Sequence, residues 1–249
     1  MMKLILLITL ISFSACSKRD KNSADKNELN LALTSAISTL DPAISYDTVS
    51  AKVVSQVYES LYEYDYLIRP YQLKPLLAED LPVIENDGLQ YTIKIKKNIQ
   101  YHDSPAFKGK KRFVIAQDFI NQLKRHAFRG TRSNGWWLFE NKIVGLDEFR
   151  KKVKSDLSDF HELKVPGLVA KDDHTLIIKL KTKYPQLIYA LAMAFTTPVS
   201  KEIIDHYKND LGHEAIGTGP YQFIKWNKKL DVNLKRTLNS HQETYPTTV

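Results

Sequence analysis

Gly217-Thr-Gly-Pro-Tyr-Gln-Phe-Ile-Lys-Trp226 leads through Asn227-Lys-Lys into Val232-Asn-Leu-Lys235. Gly219 allows close backbone approach. The aromatic and β-branched residues on either side of Asn227-Lys-Lys then read as a hairpin. Working outward, Thr175-Leu-Ile-Ile-Lys-Leu180 reads as a strand entered from the turn Lys171-Asp-Asp-His-Thr175. Tyr91-Thr-Ile-Lys-Ile-Lys96 alternates with period two after the Asn86-Asp-Gly88 turn. Leu29-Asn-Leu-Ala-Leu33 alternates in the same way and predicts a further strand. Helices are predicted between these segments. Asp47 or Thr48 caps one whose apolar face is Val49, Val53, Val57 and Leu61, flanked by Val54 and Tyr58. A second runs from Ala116 to Phe128 with Phe119, Ile120 and Leu123 inward, and a third opens at Pro185. Strands and helices mix without a strict βαβ rhythm, so the expected class is α+β, or mixed α/β. No internal repeat is visible.

The first residues set the expected compartment. Lys3 precedes an apolar run, Leu4 to Phe13, that is too short to span a bilayer, and Ser14-Ala15-Cys16 follows. This is the pattern of a secretory signal over residues 1–15. Phe13-Ser-Ala-Cys16 resembles the lipobox of bacterial lipoproteins, with Phe13 in place of the usual Leu. Cys16 is thereby expected to carry the lipid anchor and to become the mature N-terminus. It is also the single cysteine of the chain, which excludes an intrachain disulfide and a cysteine-based zinc site. Residues 16–28 are almost free of apolar side chains and read as a flexible tether. Ser23-Ala-Asp-Lys26 matches the S-x-x-K pattern of serine acyl-enzymes, but a polar tether offers none of the rigid setting that chemistry needs.

The chain has 249 residues and a formal net charge of +8. Lys3 is the only charge in residues 1–15, so the mature chain carries 35 basic and 28 acidic residues, +7. The basic residues are spread along the chain, and the densest run, Lys108-Gly-Lys-Lys-Arg112, is loop-like. A solvated basic surface is the simple reading, and nucleic acid is not an expected partner. The seven histidines show no H-x-x-x-H or H-x-H spacing, so neither a metal nor another cofactor is expected. No G-x-S-x-G, H-E-x-x-H or Gly-rich phosphate loop is present, and the chain is read as a non-enzyme.

Several segments occur in a telling order: Thr39-Leu-Asp-Pro42, Tyr58-Glu-Ser-Leu61, Pro75-Leu-Leu-Ala-Glu79, Asp87-Gly-Leu-Gln-Tyr-Thr92, Tyr101-His-Asp103, Ala116-Gln-Asp-Phe119, Asp172-Asp-His-Thr-Leu176, and Gly217-Thr-Gly-Pro-Tyr221 with Trp226. Together they resemble the family 5 solute-binding proteins, the oligopeptide, dipeptide and nickel binders of ABC importers. The resemblance implies a type II periplasmic-binding-protein fold of two lobes that close on a ligand. It places residues 29–48 and 170–249 in a discontinuous first lobe, and 49–169 in an inserted subdomain. It further implies a second lobe that this chain lacks; the stretch Asn239-Ser-His-Gln-Glu-Thr-Tyr-Pro246 begins the crossing to it.

The implied role is an exported, membrane-anchored binder in the periplasmic space or at the cell surface. It would capture peptides or similar small solutes and hand them to ABC permease subunits. Peptides would be held as an added strand through their main chain. The alternative that the sequence leaves open is a truncated or decayed lipoprotein without transport function, with a surface interaction role or none. Carried over residue by residue, the candidate ligand-binding positions are Tyr46, Asp47 and Thr48 after Asp41-Pro42, Trp136 and Trp137 after Gly135, and Thr218 and Gly219. Asp47 and Thr48 serve equally well as helix caps. Either Trp is also at home in a core, and Thr218-Gly219 as a turn.

Overall fold

The computed structural model describes residues 27–154 and 156–237. The expected signal segment, Cys16, the tether up to residue 26 and the stretch Asn239–Pro246 lie outside the described residues. Residues 27–34 belong to a unit of their own and have no regular secondary structure, with Leu29 and Leu31 exposed. The strand expected at Leu29–Leu33 is therefore corrected. Alternation supplies a face, but a strand also needs a ladder partner for its N–H and C=O groups. No described strand pairs with this segment.

From Ser35 onward the chain forms a second unit. Its centre is a four-stranded antiparallel sheet in the order β3 (Val83–Glu85), β4 (Gln90–Lys94), β6 (Thr175–Lys179), β5 (Leu168–Asp172). The register sets Tyr91 opposite Ile178 and Ile93 opposite Leu176. All four are buried, as period-two alternation requires of a half-covered sheet. A boundary expected near residue 170 falls inside this sheet, because β4 and β6 pair along their whole length.

Helix α1 (Thr48–Val57) begins as expected but ends at Val57, and Leu61 continues its apolar row outside the helix. Helix α2 (Ala116–Ala127) packs on β5 and β6. Every α2 residue except Gln117 is buried, including Asp118, Asn121, Gln122, Lys124, Arg125 and His126. Such a helix is not the one-sided amphipathic element that Phe119, Ile120 and Leu123 imply. Its polar side chains must each find a partner, since a buried polar group left unpaired costs about 1–3 kcal/mol. They do. Asp118 accepts from Ile115 N and pairs with Arg112 at 2.7 Å. Asn121 donates to the Val199 carbonyl and Gln122 to that of Phe195. The Lys124 ammonium donates to the Phe160 carbonyl and lies over the Phe149 and Phe160 rings.

Short helices α3 (Leu146–Lys152), α4 (Leu157–Glu162), α5 (Leu187–Ala190) and α6 (Lys201–His206) surround this core. The helix expected from Pro185 is a single turn. A small hairpin, β1 (Tyr62–Tyr64) with β2 (Leu73–Pro75), stands apart from the main sheet. The hairpin of β7 (Tyr221–Asn227) and β8 (Asp231–Arg236) forms as expected. It lays Phe223, Trp226, Val232 and Leu234 against a second, smaller core cluster built on α1 and Leu40.

Candidate ligand-binding site

The site is built from the inside outward, starting at Arg125. Its side chain and that of Asp41 are both fully buried, with Arg125 Nη2 2.5 Å from Asp41 Oδ2 and Nη1 3.1 Å from Oδ1. Asn209 Oδ1 and Gln122 Oε1 take two further N–H groups of the guanidinium, and Asp41 Oδ1 also accepts from Ala43 N. This fork-to-carboxylate pair ties the Asp41-Pro42 loop to α2. One residue on, His126 ties a second loop. Its Nε2 lies 2.6 Å from the Phe195 carbonyl, which fixes that nitrogen as the donor, and its Nδ1 lies 2.6 Å from the Ser133 hydroxyl. Burial pushes the imidazole down to about 4, so it is neutral at ordinary pH.

The two loops also join each other. Asn134 N donates to the Ala43 carbonyl at 3.1 Å, and Asn134 Nδ2 donates to the Ile44 carbonyl at 2.6 Å. The Ser133 hydroxyl lies 3.1 Å from the same Ala43 carbonyl. Gly135 is needed between them: a Cβ there would come within 2.8 Å of Phe195 and 2.9 Å of His126. The result is a ledge fixed to the buried helix from below and carrying aromatic side chains above. Tyr46 is 69 % exposed, with its ring centroid 6.4 Å from that of Phe195. Trp137 is 57 % exposed. Trp136 is half-buried against the main core, and the Arg150 guanidinium sits 4.6 Å from its ring centroid.

The remaining candidates divide. Asp47 caps α1, accepting from Val49 N and Ser50 N as well as from the Ser38 hydroxyl. Burial alone would raise its carboxyl, but the Ser38 and Ser50 bonds outweigh burial and hold it below its ordinary range. Such a cap contributes about 1 kcal/mol. Thr48 is exposed at the first position of the helix. Thr218 and Gly219 lie elsewhere, at the opposite end of α1, roughly 15 Å along its axis. Thr218 Oγ1 is buried and donates to Glu59 Oε2 at 2.7 Å. Gly219 N donates to the Val57 carbonyl, and a Cβ on Gly219 would meet the Gln56 carbonyl at 2.7 Å. Gly217 is closer still, since a Cβ there would lie only 1.9 Å from Val57 O. His102 holds the same turn, its N–H donating to Gly217 O and its Nε2 to Gly219 O, both at 2.8 Å. The structure therefore joins the segment leading to Tyr46, Asp47 and Thr48 to the segment leading to Trp136 and Trp137, through Ala43 and Ile44 on one side and Ser133 and Asn134 on the other, and leaves Thr218 and Gly219 as the joint between α1 and the β7–β8 hairpin.

No group of three His, Cys, Asp or Glu side chains suited to a metal occurs among the described residues. Among the described residues, an open surface groove of about 500 Å³ is lined by Glu79, Lys94, Lys97, Asp172, Asp173, His174 and Thr175, none of them a residue of the aromatic ledge. Arg125, His126, Ser133, Asn134 and Phe195 hold the ledge together and carry no sequence motif. The turn-forming composition of Ser133-Asn-Gly135 is the one local hint.

Known proteins resemble this chain in sequence and in fold. The family model described as "Bacterial extracellular solute-binding proteins, family 5 Middle" matches residues 72–242, well over half of the chain. The chain belongs to the family 5 bacterial extracellular solute-binding proteins. Among curated relatives, the glutathione-binding protein GsiB of Escherichia coli O1:K1 / APEC is 28 % identical over 222 residues, 88 % of this chain and 36 % of the relative. GsiB of Pectobacterium atrosepticum is 28 % identical over 201 residues, 80 % of this chain and 32 % of the relative. The chain thus spans about a third of the length of these family 5 proteins. Solved structures share the type II periplasmic-binding-protein fold. The substrate-binding domain of an oligopeptide ABC transporter from Bacillus anthracis superposes with a TM-score of 0.68 at 22 % identity, over 84 % of this chain and 37 % of that one. The periplasmic binding protein DppA from Helicobacter pylori, solved with the peptide STSA, gives 0.64 at 22 % identity, over 84 % and 39 %.

Proposed function

We propose that this family 5 chain serves as the lipid-anchored, extracytoplasmic solute-binding component of an ABC importer and captures peptides or similar small solutes. The observation that carries this reading is the aromatic ledge. Tyr46 and Trp137 are both exposed and stand on loops fixed by a fully buried ion pair and a buried neutral histidine, so their rings offer apolar area with a polar handle to a ligand. A rigid ledge presents side chains without an ordering cost at the moment of binding. Tyr46, Trp136 and Trp137 supply the apolar contact, while Thr48 offers an exposed hydroxyl beside them. Thr218 and Gly219 act in this reading through the hairpin they join. That two solved family relatives were studied as peptide complexes or oligopeptide transporters supports a peptide as the solute.

The test is uptake in the host. Deleting the gene should reduce uptake of labelled short peptides, and the wild-type gene should restore it. A Tyr46→Ala/Trp137→Ala double variant, present at the same level, should restore little; each ring lost from a central contact costs about 1–3 kcal/mol. Full restoration by the double variant would remove the ledge from the binding site. Unchanged uptake in the deletion strain would remove the transport role. The anchor is tested separately: Cys16→Ser should move the protein from the membrane fraction to the soluble one, and equal membrane association would refute lipidation at Cys16.

A further inference from the structure

The two outer strands of the main sheet are treated very differently. On one side β5 carries α2, and its first three residues are buried or half-buried. On the other side β3 is exposed at all three positions. Val83 is 62 % exposed and Ile84 52 %, with Leu81 at 48 % just before them. An outer strand leaves every second set of N–H and C=O groups without a ladder partner. Proteins blunt such an edge by keeping it short, by proline or charged side chains, or by a cover. This edge is three residues long and follows Pro82, but among the described residues no cover lies over Val83 and Ile84, and no lysine or arginine stands between Lys74 and Lys94.

What flanks the apolar centre is acidic. Glu79 and Asp80 precede it, Glu85 and Asp87 follow it, and all four are exposed. Two of them are partly engaged. Glu85 accepts from Gln90 Nε2 and Thr92 Oγ1, and Asp87 pairs with Lys183 at 2.6 Å. Glu79 borders the groove that also holds Lys94 and Lys97. The order acid, apolar strand, acid nonetheless sets this edge apart from a chain whose net charge is +8. Pairing with the same edge of a second copy would bring like charges face to face, which is unfavourable. The complementary occupant is an extended segment with an apolar centre and basic flanks.

We propose that β3 is a docking edge on which a basic, extended segment of a partner protein adds as a fifth strand of the sheet. Main-chain hydrogen bonds to β3 supply the pairing, Val83 and Ile84 contact the partner's apolar side chains on the two faces, and the acidic flanks select its charge and register. This surface is separate from the aromatic ledge and does not depend on the function proposed for it.

The experiment uses the purified full chain and two labelled short peptides. Both have a Val-Ile-Val centre; one carries Lys/Arg flanks and the other Glu/Asp flanks. Fluorescence anisotropy should show binding of the basic peptide, weakened by added salt, and at least about tenfold weaker binding of the acidic one. Ile84→Lys and Glu79→Lys/Asp80→Lys should each weaken the basic peptide by about tenfold while leaving the circular dichroism spectrum and thermal midpoint unchanged. Tyr46→Ala/Trp137→Ala should leave this binding intact, which separates it from solute capture. Hydrogen exchange should show new protection at Val83–Glu85 on addition of the basic peptide. The proposal is overturned if the two peptides bind equally, if Ile84→Lys has no effect, or if the new protection maps to the ledge. It is also overturned if Ile84→Lys abolishes a dimer seen by sedimentation, or if β3 is protected without peptide until residues 17–26 or 238–249 are removed; these outcomes would give the edge to a second copy or to the chain itself.

Discussion

Helix α2 with the four-stranded sheet, and helix α1 with the β7–β8 hairpin, solve the same packing problem at different depths. In the first region the polar side chains go inside with the apolar ones, and each meets a specific partner: Arg125 with Asp41, His126 with Ser133 and Phe195, Gln122 with Phe195. In the second, Phe223, Trp226, Val232 and Leu234 cover α1 from one side only, while Ile224 and Leu230 face solvent. A satisfied buried network fixes one arrangement of the segments it links. A one-sided hairpin of two strands does not. The difference matters for the proposed ligand site because the Asp41–Thr48 and Ser133–Trp137 loops are tied to the first region. The difference also has a cost: removing any one member of the network exposes its partner to an uncompensated burial penalty.

Arg125→Met gives the largest expected effect. It leaves Asp41 buried without its counter-charge, so stability should fall by about 3–5 kcal/mol, read as a lower denaturant midpoint. Adding Asp41→Asn should recover a good part of that loss, since the buried charge is gone. A single variant as stable as the parent would mean that the pair does not anchor the loop.

Acid should loosen the same region next. His126 has a folded value of about 4 against an ordinary 6.5, so the unfolded chain binds the extra proton more readily. Stability is retained above pH 6.5 and declines as pH falls toward about 4, by up to about 3 kcal/mol. His126→Gln should flatten that decline in a urea titration repeated at several pH values. An unchanged pH profile would contradict the buried neutral state.

In the hairpin region the expected change is smaller and local. Gly217→Ala places a methyl group against the Val57 carbonyl and should cost about 1–3 kcal/mol. Its effect on hydrogen exchange should be confined to Tyr221–Arg236 and the end of α1. Loosening of β4 in this variant would show that the two regions are one cooperative unit.

Much of this contrast is invisible in the sequence, for a physical reason. The alternation at Tyr91–Lys96 and Thr175–Leu180 and the heptad-like rows of α1 and α2 are local, and they mark four elements within two residues of their bounds or, for α1, four. The three-residue strands β1, β2 and β3 are too short to show a period. Leu29–Leu33 shows one and forms no strand, because pairing is not a local property. Within α2, Gln122, Lys124, Arg125 and His126 read as a solvent face, and it takes the tertiary cover from Asp41, Phe160, Phe195 and Asn209 to bury them. Site residues divide along the same line. Tyr46 and Trp137 are candidates through what the family resemblance implies, whereas the side chains that hold their loops become visible only through contacts across 84 residues, from Asp41 to Arg125.

Native-state hydrogen exchange of the unmodified chain tests the central distinction most directly. The amides of Tyr91, Ile93, Leu176 and Ile178 should exchange slowly, by near-global opening. The Asn134 amide, bonded to the Ala43 carbonyl, should be protected with them although it lies in a loop. The β7–β8 amides should exchange faster, through local opening. Fast exchange at Asn134, or a hairpin as protected as β4, would contradict the view that the aromatic ledge is built on the rigid part of the molecule.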